Sequence, residues 1–506
     1  CGGSDSDTTP PENPCVQGLC YSVGQFYIGW NSNSAPLLSI RHADESERTL
    51  WQSTSKTPLV TASVIDKGIS SSRGSFTFDL TRENSCSKSA VDNVAAVDDT
   101  VVVNGSFSDC PLDFTITYSA VSERRLRYKV ELLPQTDAPN YNQVSLGWQS
   151  DAAEGFYGFG AQYNFLNLKG KLLPIWCQEQ GHGRGLEPIS ELLDLASPGS
   201  AGDWYTSYTC VPYFLSSNRY GLVLENDEYI EFDMQDDAYT RAMVLAPQMT
   251  GQLLYGATPM EIVSTYTEYT GRMAPLPEWT QSGAIVRTHG GSSKAFERVA
   301  ELDTAGAAVA GLWVEDWAGT RETPFGTRMW WNWDIDRTMY PDFEDMVSTL
   351  KAQGVHSVIY FNPFLTDATE QPGVTRVLFN EAIEGGYLVN SLEGGPELIQ
   401  NGGFEAGMID LTNQEARQWI KGIMRNMIDK GVSGWMADFG EALPIEISLH
   451  SGVDPTAYHN VYPFDWAELN MEVAKEAGVF DQHLTFNRSG NARSPGVARS
   501  FWIGDQ

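Results

Sequence analysis

From residue 284 onward, short apolar strands alternate with amphipathic helices, and each strand ends in a polar side chain. The spacing predicts strands over 284–288, 311–315, 356–362, 434–438, 484–488 and 501–505. The clearest helix covers 414–430, where Ala416, Trp419, Ile420, Ile423, Met424, Met427 and Ile428 share one face. Thr412 and Glu415 suit a capping box at its start, and Gly431 stands where a terminating glycine belongs. Strand–helix alternation of this kind dictates a parallel sheet. The fold class expected is α/β, a (β/α)8 TIM barrel truncated after about six strands, since closure takes eight. Chemistry in such a barrel sits at the C-terminal ends of the strands. His289, Glu315, Asp316, Asn362, Asp438, Arg488 and Asp505 fall there, and so many polar ends in succession point to an active-site ring.

The preceding half has a different texture. Residues 74–80, 113–118 and 125–132 alternate apolar with polar side chains, separated by Gly, Asn, Asp and Ser clusters. That pattern predicts an antiparallel β-sandwich. A helix is expected over 259–271, followed by the stiff linker Met273-Ala274-Pro275-Leu276-Pro277-Glu278. The expected domains are a tether over 1–19, a β-sandwich over 20–272 and a catalytic barrel over 279–506, with the C-terminal part of the barrel missing.

A net charge of −32 argues against nucleic acid as a partner. It also means that an anionic substrate would need a local basic site. No apolar run reaches the roughly 18 residues needed to span a bilayer. Cys1, followed by the polar Gly2-Gly3-Ser4-Asp5, is similar to the first residue of a mature bacterial lipoprotein. An exported protein is therefore expected, in the periplasm or at the outer membrane, attached only through a lipid on Cys1. The other six cysteines lie in the first half, and an even number in an exported chain suggests disulfides. Cys15–Cys20 and Cys86–Cys110 are the preferred pairs, leaving Cys177–Cys210. None has metal-ligand spacing with His, so no metal is expected.

Gly434-Trp435-Met436-Ala437-Asp438-Phe439-Gly440-Glu441 reads as a short buried strand delivering two carboxylates. Burying a carboxylate is costly, so Asp438 needs a partner or a task. Two carboxylates on different strand ends suit glycoside hydrolysis, one attacking the anomeric carbon and one protonating the leaving oxygen. Asp438 and Asp505 are the candidate pair. Trp313, Trp317, Trp330, Trp331, Trp333, Trp435 and Trp502 suit either sugar stacking or barrel packing.

These motifs resemble glycoside hydrolase family 31 and, within it, the sulfoquinovosidases. The similarity runs from about 155 to 506. It includes Tyr157-Gly158-Phe159-Gly160 with Gln162, and Gln178-Glu179-Gln180-Gly181. It continues through Trp313-Val314-Glu315-Asp316-Trp317, Phe325 to Trp333, Gly434 to Glu441, Leu449-His450 and Trp502 to Gln506. The resemblance implies retention at an α-linked sugar without cofactor or metal. It implies Asp438 as nucleophile, Asp505 as general acid/base, and Arg488 as the arginine that steadies the hydroxyl beside the anomeric centre. Glu441 matches a carboxylate near the nucleophile, and Asp316 an acid that holds sugar hydroxyls. Glu315 matches a position that contacts the sugar, and His289 stands where sulfoquinovosidases carry Gln or Lys.

A sulfonate accepts hydrogen bonds and gives none, so a planar guanidinium plus an indole N–H suits it. Arg328 and Trp331 match the sulfonate-binding pair of that subgroup. The structural alternative for Arg328 is a salt bridge with Glu322 or Asp334. The partner implied is a small α-glycoside carrying a sulfonated sugar, such as sulfoquinovosyl glycerol or sulfoquinovosyl diacylglycerol. A family 31 α-glucosidase or α-xylosidase on neutral glycosides, and a non-catalytic glycan-binding surface lipoprotein, are the competing expectations.

Overall fold

The computed structural model describes residues 18–33, 37–196 and 198–505. Cys1, with its expected lipid, and Cys15, with its expected bond to Cys20, lie outside the described residues.

Between residues 60 and 255 the chain forms two large antiparallel sheets. An eight-stranded sheet runs from Phe156–Gly160 at one edge to Ser89–Val97 at the other, and a six-stranded sheet from Leu172–Ile175 to Ser75–Cys86. The period-two segments become the strands Ser75–Cys86, Leu112–Ser122 and Arg125–Pro134. Phe114, Ile116 and Tyr118 face inward while Thr115 and Thr117 face outward, as the pleat requires. One apolar core takes side chains from both sheets, among them Ile116, Val130, Leu146 and Phe232. Cys86 and Cys110 are bonded, as expected. Their sequence separation of 24 residues corresponds to about 3 kcal/mol of chain-entropy stabilisation.

Cys177 and Cys210 are both free buried thiols. Each finds its own acceptor: Cys177 Sγ donates to the Gly490 carbonyl at 3.4 Å, and Cys210 Sγ to that of Trp176 at 2.9 Å. They pack as small hydrogen-bonded side chains and not as the remaining disulfide.

The helix Pro259–Thr270 begins on Thr258, whose hydroxyl accepts from the Glu261 N–H, with Pro259 at the first position. After it come six parallel strands: β1 (Ala284–Thr288), β2 (Val309–Val314), β3 (His356–Phe361), β4 (Gly434–Ala437), β5 (Leu484–Asn487) and β6 (Ser500–Phe501). They pair in chain order, each with its predecessor and its successor. The ladder stops at Val314, Phe361, Ala437 and Asn487, so Glu315, Asn362, Asp438 and Arg488 follow directly on the last paired residues. The sixth strand departs from expectation. It is the short Ser500–Phe501, and Asp505 lies four residues beyond it with φ of 65°.

β4 is buried along its whole length. Gly434 permits this, because a Cβ there would collide with the Leu484 carbonyl of β5. The helix Gln414–Asp429 precedes β4. Its cap is Asn413, whose Oδ1 accepts from the Glu415 N–H at 2.9 Å. Thr412 does not cap, because its hydroxyl donates to Asp410 Oδ1 at 2.6 Å instead. Gly431 takes φ of 92°, as a helix-terminating glycine does. The buried face is wider than its apolar residues suggest. Arg417 and Lys421 are also buried, paired with Glu468, Glu472 and Glu476 on the neighbouring helix Tyr462–Glu476.

Candidate active site

Asp438 follows β4, and Phe439 (φ 57°) and Gly440 (φ 113°) then turn the chain sharply. Its carboxylate is buried, 7% exposed, with two differently treated oxygens. Oδ2 accepts from the Tyr360 hydroxyl, whose own oxygen accepts from Asn362 Nδ2 at 3.1 Å. Oδ1 stands 3.3 Å from Arg488 Nε, out of alignment for a hydrogen bond, and among the described residues no aligned donor bonds it. One oxygen is fixed by a hydrogen bond, and the other is buried beside the guanidinium without one. Burial pushes the Asp438 pKa above the ordinary aspartate value. Arg488 and the Tyr360 hydroxyl oppose that rise, and the negative charge of Asp505 adds to it.

Arg488 is the cation around which the buried acids collect. Its Nη2 contacts Glu441 Oε1 and lies 3.6 Å from Glu179 Oε2. Its guanidinium stacks 3.8 Å from the Phe439 ring centroid and 4.3 Å from that of Tyr208. Tyr208 in turn donates to Glu179 Oε1 at 2.7 Å. One guanidinium thus faces three carboxylates, Asp438, Glu441 and Glu179. Glu441 is fully buried and pushed up to about 7 by that burial; Arg488 pulls it down and Glu179 pushes it further up. Glu179 and Tyr208 come from the N-terminal β-region, which therefore helps to build the barrel's site. Sequence reading missed both roles. Glu179 stood inside a matched motif without an assigned task, and Tyr208 carried no signal because its meaning depends on contacts 280 residues away. Tyr360 was hidden inside an apolar strand.

Asp505 is exposed, and Gln180 Nε2 donates to its backbone carbonyl. At the ends of β1 and β2, Glu315 Oε2 meets His289 Nε2 at 2.6 Å and also contacts Arg287, a neighbour the sequence did not flag. Asp316 is 1% exposed and fully engaged: Oδ2 accepts from the Gly290 N–H at 2.8 Å and Oδ1 from the Tyr340 hydroxyl. Its position here fixes the turn after β1.

Arg328 lies on the hairpin of strands Thr320–Thr323 and Gly326–Met329. Among the described residues no carboxylate pairs with it. Glu322 accepts from Thr327 Oγ1 at 2.7 Å and Asp334 Oδ1 from the Ile335 N–H at 3.0 Å, so neither forms the expected alternative salt bridge. Trp331 is buried among Phe364, Phe404 and Phe439, with centroids at 5.4, 4.9 and 5.4 Å. Phe439 adjoins Asp438, so Trp331, two residues past the hairpin, reaches the carboxylate site through one aromatic contact. Trp317, Trp333 and Trp435 are packing residues, each buried with its indole N–H bonded within the barrel. Among the described residues no group of three or more His, Cys, Asp or Glu is arranged to hold a metal ion.

The description "Glycosyl hydrolases family 31 TIM-barrel domain" matches residues 274–506. These residues are a family 31 barrel.

The chain is 32% identical over 395 residues to the sulfoquinovosidase of Escherichia coli (strain K12), covering 78% of this chain and 57% of that protein. It is 34% identical over 367 residues to the sulfoquinovosidase of Agrobacterium fabrum (strain C58), covering 72% and 54%. The chain thus spans little more than half the length of these curated relatives. A solved family 31 sulfoquinovosidase from E. rectale, in complex with the aza-sugar inhibitor IFGSQ, superposes with a TM-score of 0.83 at 27% identity, covering 96% of this chain and 69% of that one.

Were Asp438 to attack an anomeric carbon, only its ionised form could do so. Because burial raises its pKa, the acid limb of kcat/KM would then lie above the ordinary aspartate value of 3.8. A pH–rate profile checks this; full activity retained below that value would contradict it.

Proposed function

We propose that the protein is a retaining α-glycoside hydrolase that cleaves α-sulfoquinovosides, such as sulfoquinovosyl glycerol or sulfoquinovosyl diacylglycerol. Asp438 Oδ1 attacks the anomeric carbon while the carboxylic acid of Asp505 gives its proton to the leaving glycosidic oxygen. The C–O bond to the aglycone breaks, and a β-linked glycosyl ester forms on Asp438. Asp505, now a carboxylate, takes a proton from water, whose oxygen attacks the same carbon as the ester bond to Asp438 breaks; this frees the Asp438 carboxylate and returns the sugar with α configuration. The Tyr360 hydroxyl on Oδ2 holds the nucleophile in one rotamer, which aims Oδ1 at the sugar. Arg488 offsets the charge of the buried acids and steadies the sugar hydroxyl beside the reacting carbon. Glu315 with His289 supplies polar contacts further round the ring, and Arg328 with Trp331 receives the sulfonate.

The single observation carrying the substrate assignment is Arg328. It is a cation without a carboxylate partner among the described residues, in a chain with a net charge of −32. A neutral sugar has no use for such a group, whereas a sulfonate supplies its missing counter-charge. Arg328→Ala is expected to lower kcat/KM on nitrophenyl α-sulfoquinovoside about a hundredfold, the scale of a charge-assisted hydrogen bond. The loss on nitrophenyl α-glucoside should be far smaller. Equal losses on both substrates would remove the sulfonate assignment and favour a neutral-glycoside hydrolase.

A further inference from the structure

Arg321 and Arg328 are register partners across the hairpin Thr320–Thr323 / Gly326–Met329. Directly opposed residues of an antiparallel pair project from the same face, and like charges in that arrangement are destabilising. No carboxylate compensates either one among the described residues. Arg321 lies between two rings, its guanidinium 4.2 Å from the Trp330 centroid and 3.8 Å from that of Phe404. Its Nε and Nη2 are shielded from solvent and make no hydrogen bond. Burial lowers its pKa to about 10, which still leaves it charged at neutral pH. Phe404 also packs on Trp331 at 4.9 Å, so one ring touches both Arg321 and the indole beside the nucleophile's neighbour. The turn before Phe404 closes over Arg328, where a Cβ on Gly402 would stand 3.1 Å from Arg328 Nε.

Two cations thus share one face of the hairpin, one stacked and half-buried and one exposed. We propose that Arg321 is a specificity-determining positioning residue, a second fixed cation that works through the opposed Arg328 to hold the sulfonate of the sugar. The stacked Arg321 contributes a field that water screens poorly, so an anion held by Arg328 on the same face of the hairpin meets two positive charges instead of one. Neutral glycosides gain nothing from that field. This inference rests on the sulfonate reading of Arg328 given above.

The test compares Arg321→Met, Arg321→Lys and Arg328→Ala in the full-length protein on nitrophenyl α-sulfoquinovoside and α-glucoside. Methionine keeps much of the stacked volume and removes the charge. It is expected to lower the sulfoquinovoside-to-glucoside ratio of kcat/KM about tenfold, mainly through KM on the sulfonated substrate. Lysine should restore most of that ratio. If the methionine variant does not fold, Arg321→Gln removes the same charge and is read the same way. An unchanged ratio, or a fall in kcat alone that lysine does not rescue, overturns the inference. Should Arg328→Ala lower the ratio while the charge-removing Arg321 variants do not, only the role of Arg321 fails. Should Arg328→Ala leave the ratio untouched, the sulfonate reading fails and the role of Arg321 with it.

Discussion

Asp438→Asn is expected to lower turnover by about a thousandfold or more, because a carboxamide cannot form the glycosyl ester on which double displacement depends. The fold should survive. The amide fits the same space, and its Oδ1 or Nδ2 can still meet the Tyr360 hydroxyl that now holds Oδ2. Replacing a buried carboxylate whose pKa is already raised by burial also removes an unfavourable charge, so the melting temperature should stay level or rise. Steady-state rates together with a thermal melt check both halves. Turnover within a few-fold of the parent would show that Asp438 is not the nucleophile; lost turnover with a collapsed melt would show that it serves the fold.

Arg488→Met is the second change with a large expected effect, and it acts on stability as well as rate. Arg488 is the cation shared by Asp438, Glu441 and Glu179. Its removal leaves buried carboxylates without a counter-charge, which costs about 3–5 kcal/mol. A fall in melting temperature of about 5 °C or more should follow at neutral pH. The pH dependence has a definite sign. Burial pushes Glu441 in the folded protein up to about 7, above the ordinary glutamate value of 4.5. An acid raised in this way favours the folded state at low pH, and that contribution is lost as pH rises through the folded pKa. Without Arg488 the acids rise further. The deficit of the variant should therefore be larger at pH 8 than at pH 5, and melts at the two pH values measure it. A deficit that is equal at both, or larger at the acidic one, would show that Arg488 is not compensating these acids.

Much of this site was legible in the sequence because barrel geometry is local at each strand. An apolar run that ends in a polar residue reports its own position, so β1 to β5 and the groups that follow them could be read directly. β6 was misread because Trp502 and Ile503 continue the apolar pattern after pairing ends at Phe501. The cap at Asn413 was assigned one residue early because Thr412 has the right chemistry, and only its bond to Asp410 shows it engaged elsewhere. Glu179 and Tyr208 belong to the β-region and reach Arg488 across a long stretch of sequence, so no spacing rule could find them. Tyr360 looked like core, and its hydroxyl matters only because β3 and β4 pair side by side. Arg321 had no motif of its own, and its position opposite Arg328 is a consequence of hairpin register.

The most direct test of the central claim is the ratio of kcat/KM values of the unmodified full-length protein on nitrophenyl α-sulfoquinovoside and nitrophenyl α-glucoside. The sulfoquinovoside should be preferred by about a hundredfold, the scale of one charge-assisted clamp, with the sugar released first in the α configuration by NMR. An equal or greater rate on the glucoside, or release of the β anomer, would contradict the account.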